Sequence, residues 1–428
     1  MQLVEQHQIK INHKFYKEID GLSFKSKNLY NQANYIIRQS FIKENKYLNY
    51  NFLSKKLQKE DSYTSLPSKV SQQILKVLDK NWISFFKSIK EWSKNKDKYK
   101  GKPNLPKYKN KTKGRNVLIY TNQCLSKRTY KKEKLIHLSG TNIKINSKVS
   151  LSTIKQVRII PRINMYLIEI IYEKEENTNG DLDKNKFISI DLGVNNLATI
   201  TSNKEGFIPL IINGRVLKSI NQYYNKKKAK LQSYVGTKGT SNKIRKLTLK
   251  RNNKIKDYLH KTTKYLIDVC LKENIGTIVV GKNIYWKNEL KMKHDNDRQN
   301  FVNIPYNDFI SMLEYKCKLN GLNFILNEES YTSKSSFIDN DEIPTYKKGK
   351  VNLYKFSGSR TKRGQYKTKE GFKINADVNG SLNIARKVFP EFNINNIEKG
   401  IKAVVVSPIK INIYLLDRDF YKHRLRVS

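Results

Sequence analysis

Two aspartates in this chain stand where the sequence pattern changes. Asp191 opens the run DLGVNNLAT at 191–199, directly after the apolar segment KFISI, and Asp377 lies in the run INADVNG at 374–380. Phosphodiester hydrolysis by two metal ions requires carboxylates that converge on cations about 3.5–4 Å apart. Either aspartate alone could equally be a helix N-cap or a turn residue. As a pair, they predict a metal-dependent nuclease centre if the fold brings them together.

The elements around the two aspartates follow the order βββαβαβα, which predicts an RNase H-like fold within an α/β multidomain chain. Asp191 would end the first, central strand, and Asp377 would precede the last helix, which packs beside that strand. The tail run VVVSPIKI at 404–411 also has the composition of a strand. The predicted order is three strands from 186 to 213, helices over 216–273 with a break near 236–239, a strand at 277–280, a helix at 306–320, a strand at 322–327 and a helix at 378–388.

The first half of the chain predicts two other kinds of structure. A strand is expected at 7–16, and a helical region then runs to about 92, with its clearest 3.6-residue period between Pro67 and Trp92. The lysine-rich run at 93–115 contains Gly and Pro, which argue against regular structure. Short β-type runs over 116–176 predict a small antiparallel barrel or sandwich. If the first strand joins it, the helical region is an insertion in that barrel.

The charge of the chain points to a polyanionic partner. Its 428 residues include 84 Lys and Arg against 37 Asp and Glu, a formal charge of +47. Nucleic acid is therefore the favoured partner, whereas a ribosomal or membrane-surface protein fits less well. With no long apolar run and no signal peptide, we expect no membrane association and a cytoplasmic, nucleoid-associated protein. The three cysteines form no CxxC pair, so neither a disulfide framework nor a zinc site is expected.

Basic residues interleaved with aromatic ones suggest where nucleic acid would bind. One set lies in GKPNLPKYK at 101–109, a second forms a stripe on the predicted helix before residue 273, and a third lies in the insert GSRTKRGQYKTKEG at 358–371. A solvated loop or helix face is the alternative for each set. The candidate contacts are Lys102, Lys107, Tyr108, Lys109, Lys243, Lys246, Lys250, Lys254, Arg360, Lys362 and Arg363.

Several runs together resemble TnpB, the RNA-guided nuclease of insertion sequences, and the miniature type V CRISPR effectors related to it. These runs are LPSKVSQQIL at 66–75, GKPNLPKYK at 101–109, DLGVNNLAT at 191–199, NEESYTSKSSF at 327–337 and INADVNGSLNIA at 374–385. The resemblance covers most of residues 1–395 in matching order. It implies a β-barrel wedge domain (1–18 and 93–180), a helical recognition lobe (19–92), a RuvC-like nuclease domain (185–395, with a basic insert at 338–373) and a C-terminal tail (396–428).

The third carboxylate departs from the usual family pattern. The fourth nuclease strand usually ends in a catalytic glutamate, but here it reads Ile278-Val279-Val280-Gly281. One TnpB branch and the eukaryotic Fanzor relatives place the glutamate three residues before a Thr-Ser pair, which selects Glu329. Strand alternation would send Glu328 to the opposite face. Glu328, Glu289 or no third ligand at all remain alternatives.

The resemblance also implies the cofactors and partners. Asp191, Glu329 and Asp377 would hold two Mg²⁺ ions, and a guide RNA would direct cleavage of double-stranded target DNA next to a short motif. Relatives carry CxxC pairs where this chain has Ser335 and Ser336, so no zinc is expected in the insert. Alternatives are a nuclease-dead RNA-guided repressor, a DNA transposase and a structural RNA-binding protein. Whether one or two copies bind each RNA stays open.

Overall fold

The chain forms two compact units, Met1–Glu175 and Glu176–Ser428, each with its own sheet and helices. The structure is a computed structural model that describes residues 1–177, 181–236, 239–283, 302–346, 354–362, 364–393 and 407–416. This confirms the prediction that the chain is an α/β protein of more than one domain. Within the described residues, every helix is too short or too polar to cross a membrane.

A four-stranded antiparallel sheet in the order β1-β6-β5-β2 organises the first unit. The unit's strands are β1 (Gln2–Lys10), β2 (Leu118–Thr121), β3 (Leu135–His137), β4 (Lys144–Asn146), β5 (Ile154–Arg162) and β6 (Met165–Glu173). The described part of this sheet is open, and β3 and β4 form a separate two-stranded ribbon, so the barrel stays a prediction. The first strand lies earlier than the predicted 7–16, because β1 pairs with β6 along its whole length and the chain then turns.

Helices fill the chain between β1 and β2. The helices of this unit are α1 (Tyr16–Glu44), α2 (Tyr50–Leu57), α3 (Asp61–Thr64), α4 (Ser68–Lys94) and α5 (Lys127–Glu133). Helix α4 starts directly after Pro67 and buries Val70, Ile74 and Trp82 along one face, as its 3.6-residue period predicts. The indole Nε1 of Trp82 donates to Asn34 Oδ1 at 3.0 Å, so the largest side chain of this core has its polar group satisfied.

The lysine-rich segment that follows α4 is irregular but anchored. The amide of Asn31 brackets Lys109, donating to its carbonyl at 2.9 Å and accepting from its N–H at 2.8 Å. Asn34 and Arg38 both donate to the carbonyl of Pro106. The segment is therefore held along α1 by side chains of that helix, which is more order than its composition predicts.

A six-stranded mixed sheet in the order β11-β10-β7-β8-β9-β15 organises the second unit. The unit's strands are β7 (Asp183–Leu192), β8 (Asn196–Ser202), β9 (Leu210–Asn213), β10 (Ile275–Gly281), β11 (Asn323–Asn327), β12 (Ser359–Lys362), β13 (Gln365–Lys367), β14 (Lys373–Asn375) and β15 (Ile409–Ile411). Strands β7, β8 and β9 are antiparallel neighbours, and β10 and β11 run parallel to β7. This is the strand order of an RNase H-like fold. All seven residues of β10 are buried, as expected for a central parallel strand.

Helices cover both faces of this sheet. They are α6 (Arg215–Gln232), α7 (Asn242–Lys272), α8 (Tyr306–Leu319) and α9 (Ala376–Val388). The core on one face joins Ile188 and Ile190 of β7 to α7 and α8. On the other face Ser189 Oγ donates to the carbonyl of Ser381 in α9 at 2.6 Å. Because side chains alternate along a strand, Asp191 is directed to the α9 face.

The insert before α9 contains a small antiparallel sheet in the order β12-β13-β14. The buried ring of Tyr366 anchors it, and its hydroxyl donates to the carbonyl of Lys334 at 2.8 Å. The sequence does not predict these strands because SRTK and QYK lack a long apolar alternation. The insert therefore has a defined framework beside the last helix.

Candidate active site

Asp191 lies one residue before the end of β7 and faces α9. Gly380 of α9 packs directly over it, since a Cβ placed on Gly380 would lie 3.0 Å from Asp191 Oδ2. Burial raises the pKa of Asp191 well above its ordinary value, and the charges of Glu329 and Asp377 raise it further. A carboxylate in such surroundings needs a proton or a cation to balance it.

Asp377 is the second residue of α9, and two neighbours hold its carboxylate. Asn196, at the start of β8, donates from Nδ2 to Asp377 Oδ2 at 2.6 Å. Arg360 of β12 approaches Oδ1 with Nη2 at 3.5 Å. The N–H of Asp377 is bonded to Asn375, which caps the helix. Asp377 is therefore oriented from both sides: Asn196 comes from the sheet and Arg360 from the insert.

Glu329 fills the space that the missing side chain of Gly281 leaves open. A Cβ at Gly281 would lie 2.7 Å from Glu329 Oε2 and 2.5 Å from Ile384 Cδ1. Asn283 donates to Glu329 Oε1 at 3.5 Å. Glu329 and Asp191 also interact electrostatically. The structure thus brings Asp191, Glu329 and Asp377 together at one end of the central strands.

Glu328 is held away from this cluster by a different set of contacts. Its Oε2 accepts from Lys387 Nζ at 2.6 Å and its Oε1 accepts from the N–H of Ser330 at 2.7 Å. Burial acts to raise the pKa of Glu328, but the hydrogen bonds from Lys387 and Ser330 outweigh it and leave the pKa lowered. Strand β11 ends at Asn327, so both glutamates lie beyond it and strand alternation does not set their directions. Glu328 contacts Lys387, whereas Glu329 lies against Gly281.

Tyr306 supports the turn that follows β7. Its hydroxyl donates to the carbonyl of Gly193 at 2.9 Å. Burial, with the charges of Asp191 and Glu329, raises the pKa of the phenol above its ordinary value. The phenol therefore stays protonated and keeps this hydrogen bond at neutral pH.

The three carboxylates lie near one another, and two other side chains contact Asp377. Within the described segments, no group of three or more His, Cys, Asp and Glu side chains has a geometry ready to hold a metal ion. The contacts of Asp377 offer a reason, because Asn196 and Arg360 take one oxygen each. A cation bound at this carboxylate would compete with Arg360 for Asp377 Oδ1.

The predicted nucleic-acid contacts lie on three exposed surfaces. Arg360 is the only one of them in contact with the carboxylates among the residues that the structure describes. Tyr108 is 44% exposed, and the guanidinium of Arg38 lies 5.1 Å from the centre of its ring. Arg363, like the alternative ligand Glu289, lies outside the described residues. The other exposed candidates are Lys102, Lys107 and Lys109 in the first unit, Lys243, Lys246, Lys250 and Lys254 on α7, and Lys362 on β12.

Sequence reasoning missed three polar residues of this site. Asn196 was the easiest of them to identify from the sequence, because it lies five residues after Asp191 in the same run. Asn283 and Tyr306 carried no comparable signal, since each reaches the site only through folding around β10 and α8. All three orient carboxylates or the adjoining turn.

Two solved structures resemble this chain at low sequence identity. Cas12f1, determined in complex with an sgRNA and target DNA, is 15% identical with a TM-score of 0.48, and the match covers 86% of this chain and 83% of that chain. The mini-RNA-guided endonuclease Cas-phi3 is 10% identical with a TM-score of 0.42, covering 90% and 92%. Both scores are too low to support a conclusion about function.

Sequence matches are more informative and include both aspartates. The family model of IS605 OrfB, described as a probable transposase, matches residues 169–287, and that of the Cas12f1-like TNB domain matches 306–384. A TnpB-like protein of Methanocaldococcus jannaschii is 30% identical over 152 residues, which are 34% of this chain and 54% of that protein. The chain thus spans about half the length of this curated relative. These matches lie on the unit that holds Asp191, Glu329 and Asp377, and they show that this unit is similar in sequence to TnpB-related proteins.

Proposed function

We propose that this chain is an RNA-guided DNA endonuclease, which binds a guide RNA and cleaves complementary double-stranded DNA next to a short motif. The observation that carries the proposal is the meeting of Asp191, Glu329 and Asp377 at one end of the central strands. A purely structural protein gains nothing from three mutually repelling carboxylates. The similarity to TnpB-related proteins adds the expectation of an RNA partner.

The residues present suit magnesium ions. Carboxylate oxygens are the ligands that Mg²⁺ prefers. Burial raises the pKa of Asp191, and the negative charges of Glu329 and Asp377 raise it further, so a cation would stabilise the cluster. Asp191, Glu329 and Asp377 would hold two Mg²⁺ ions. When bound, these ions would supply an activated water and stabilise the leaving oxygen. No zinc is proposed for the insert, which Ser335 and Ser336 precede and which contains no cysteine.

Other side chains of the site orient the carboxylates and the substrate. Asn196 fixes one oxygen of Asp377, and Gly281 gives Glu329 room to approach Asp191. Arg360 is 46% exposed at its side chain, so it can exchange Asp377 for a phosphate of the DNA strand. The guanidinium would then position the scissile strand as the carboxylates become available to cations.

The nucleic acids would be bound mainly through their backbones. A charge of +47 supplies attraction for RNA and DNA, and the exposed lysines of α7 are placed to contact phosphates. In RNA-guided systems the protein reads the hybrid by shape, and base pairing reads its sequence. We propose the first unit as wedge and recognition domains and the second as the RuvC-like nuclease domain.

The decisive experiment is plasmid cleavage with Mg²⁺ and the RNA that co-purifies with the chain, after sequencing that RNA to define the target. Asp191→Ala and Asp377→Ala should abolish cleavage and leave RNA binding intact. Glu370→Gln changes an exposed acid of the basic insert, outside the carboxylate cluster; it is the matched control and should cut normally. Cleavage that survives either aspartate change would refute the assigned centre.

The two adjacent glutamates offer a finer test. Glu329→Gln should abolish cleavage, because Glu329 lies beside Asp191. Glu328→Gln should be milder, since Glu328 pairs with Lys387 instead. The reverse ranking would identify Glu328 as the metal ligand.

A nuclease-inactive, RNA-guided DNA-binding protein is the second candidate. The contact of Arg360 with Asp377, and the glycine at position 281 where the family usually has a glutamate, favour it. Tight binding of target DNA with RNA, but no cleavage at any Mg²⁺ concentration, would establish this alternative. Cleavage that needs no RNA would instead favour a transposase.

A further inference from the structure

A cavity of about 560 Å³ lies at the start of α6, on the face of the sheet opposite α9. Its walls include Asn213, Arg215, Ser219, Lys254 and Tyr414. Only Lys254 among these belongs to the basic stripe that the sequence predicts. The cavity combines cations, neutral hydrogen-bonding groups and an aromatic ring, which is the chemistry that recognises a nucleotide.

The aromatic ring of the cavity is held in place by the segment around β15. Strand β15 pairs in parallel with β9, and Ile411 and Ile413 are buried, so the segment is anchored to the sheet. Tyr258 packs against the Tyr414 ring at 5.2 Å and 71°. Tyr414 nevertheless remains 42% exposed. A fixed ring with an exposed surface is suited to stacking against an unpaired base.

The charges around the ring favour a phosphate. Arg215 and Lys254 form no ion pair with any residue that the structure describes, so both cations are available. Lys261 lies over the Tyr414 ring at 5.1 Å, and its charge is balanced by Asp257 at 3.0 Å. Arg215 and Lys254 therefore give the cavity a net positive charge.

We propose that this cavity binds one unpaired nucleotide of an RNA, with its base on Tyr414 and its phosphate at Arg215 and Lys254. RNA is favoured over DNA for two reasons. Asn213 and Ser219 can bond the 2′-hydroxyl of a ribose. The cavity also lies on the α7 face, whereas Asp191 faces α9, so a nucleotide bound here is not presented to the carboxylates. This inference rests on the proposed function only in assuming an RNA partner.

The test uses the full chain and a single-stranded hexauridine RNA carrying 5-iodouridine, at about 150 mM salt to suppress weak surface binding. Ultraviolet crosslinking followed by mass spectrometry should map a crosslink to Tyr414. Tyr414→Ala should weaken binding of the unmodified hexanucleotide by about tenfold, the scale of one lost stacking contact. Tyr414→Phe keeps the ring and should stay within about twofold of the wild type.

Controls separate the pocket from general attraction and from nuclease activity. Tyr223→Ala removes another exposed tyrosine, 61% exposed on α6 beside Lys227, and should leave binding unchanged. An Asp191→Ala background should give the same binding results, so a failed nuclease assay does not decide this test. An unchanged affinity of Tyr414→Ala for the RNA would overturn the proposal. Equal losses for RNA and for the matching DNA hexanucleotide would overturn the assignment to RNA.

Discussion

Two glycines define the candidate centre as closely as its carboxylates do. Gly380 lets α9 approach Asp191, and Gly281 leaves the space that Glu329 enters. The backbone conformation at these two positions does not require glycine, because neither residue has a positive φ. The reason for both glycines is the close approach of a carboxylate.

Gly281→Ala tests this argument. The added methyl group would meet Ile384 and Glu329, so one of them must shift. We expect cleavage to fall by about 10- to 100-fold, because small displacements of catalytic groups have large effects, with a stability loss of about 1–3 kcal/mol. Target cleavage well below the unfolding temperature measures the first effect. The control Gly21→Ala adds a methyl group with nothing within 4 Å and should cut normally.

The raised pKa of Asp191 predicts a pH-dependent effect on stability. Between the ordinary pKa of 3.8 and the higher folded value, the native state binds more protons than the unfolded chain. Stability should therefore fall as pH rises through this window. Asp191→Asn removes the buried charge and should raise the unfolding temperature at pH 7 without metal, by about 2–4 °C for each kcal/mol gained.

The same comparison below pH 3.8 supplies the control, because both states are then protonated and the difference should vanish. Added Mg²⁺ should stabilise the wild type more than the variant. A variant that unfolds at a lower temperature than the wild type at pH 7 would contradict the sign of the argument.

At the scale of elements, the insert is held together by carboxylates. Asp341 accepts from the N–H of Ser336 at 2.8 Å and from that of Ser357 at 3.2 Å. Asp339 accepts from the hydroxyl of Ser357 and from the N–H of Lys369, each at 3.0 Å. These bonds tie the two ends of the insert to its base, a task that metal sites perform in other small modules.

Asp341→Ala removes a carboxylate that accepts two backbone hydrogen bonds, so it should loosen the insert. We expect faster trypsin cleavage at Arg360 and Lys362. The substitution leaves two backbone N–H groups without their charged acceptor, which should destabilise the insert by about 1–3 kcal/mol. Treating the wild type with a zinc chelator should not change the cleavage rate. Glu370→Ala, an exposed acid nearby, is the matched control. Chelator-sensitive cleavage would show that a metal holds the insert after all.

The sequence predicted elements with strong periodicity and missed those fixed by distant partners. KFISI and the apolar run of β10 identify central strands, and the stripe from Val70 to Trp82 identifies α4. The position of β1 depends on its register with β6, which no local pattern encodes. The resemblance selects Glu329 by its distance from the Thr-Ser pair, but the contacts that distinguish the two glutamates, Gly281 beside Glu329 and Lys387 beside Glu328, come from other elements and have no local sequence signal.

At the scale of the whole molecule, electrostatic attraction should dominate RNA binding. Each phosphate neutralised by a cation contributes about 0.7–0.9 to the slope of log affinity against log salt. Changing Lys243, Lys246, Lys250 and Lys254 together to Gln should therefore lower that slope by about three. Binding titrations at several salt concentrations measure it, with Asp191→Ala as the control. An unchanged slope would show that this exposed face of α7 does not contact RNA.

Strand β15 also has a consequence for how the chain reaches its folded state. It covers β9, which would otherwise leave its backbone N–H and C=O groups open to pairing with another molecule. The covering residues, 409–411, are synthesised almost two hundred positions after β9. During translation the sheet of the second unit therefore has an unpaired edge strand for a long interval, when chaperones or an early-bound polyanion would protect it from aggregation.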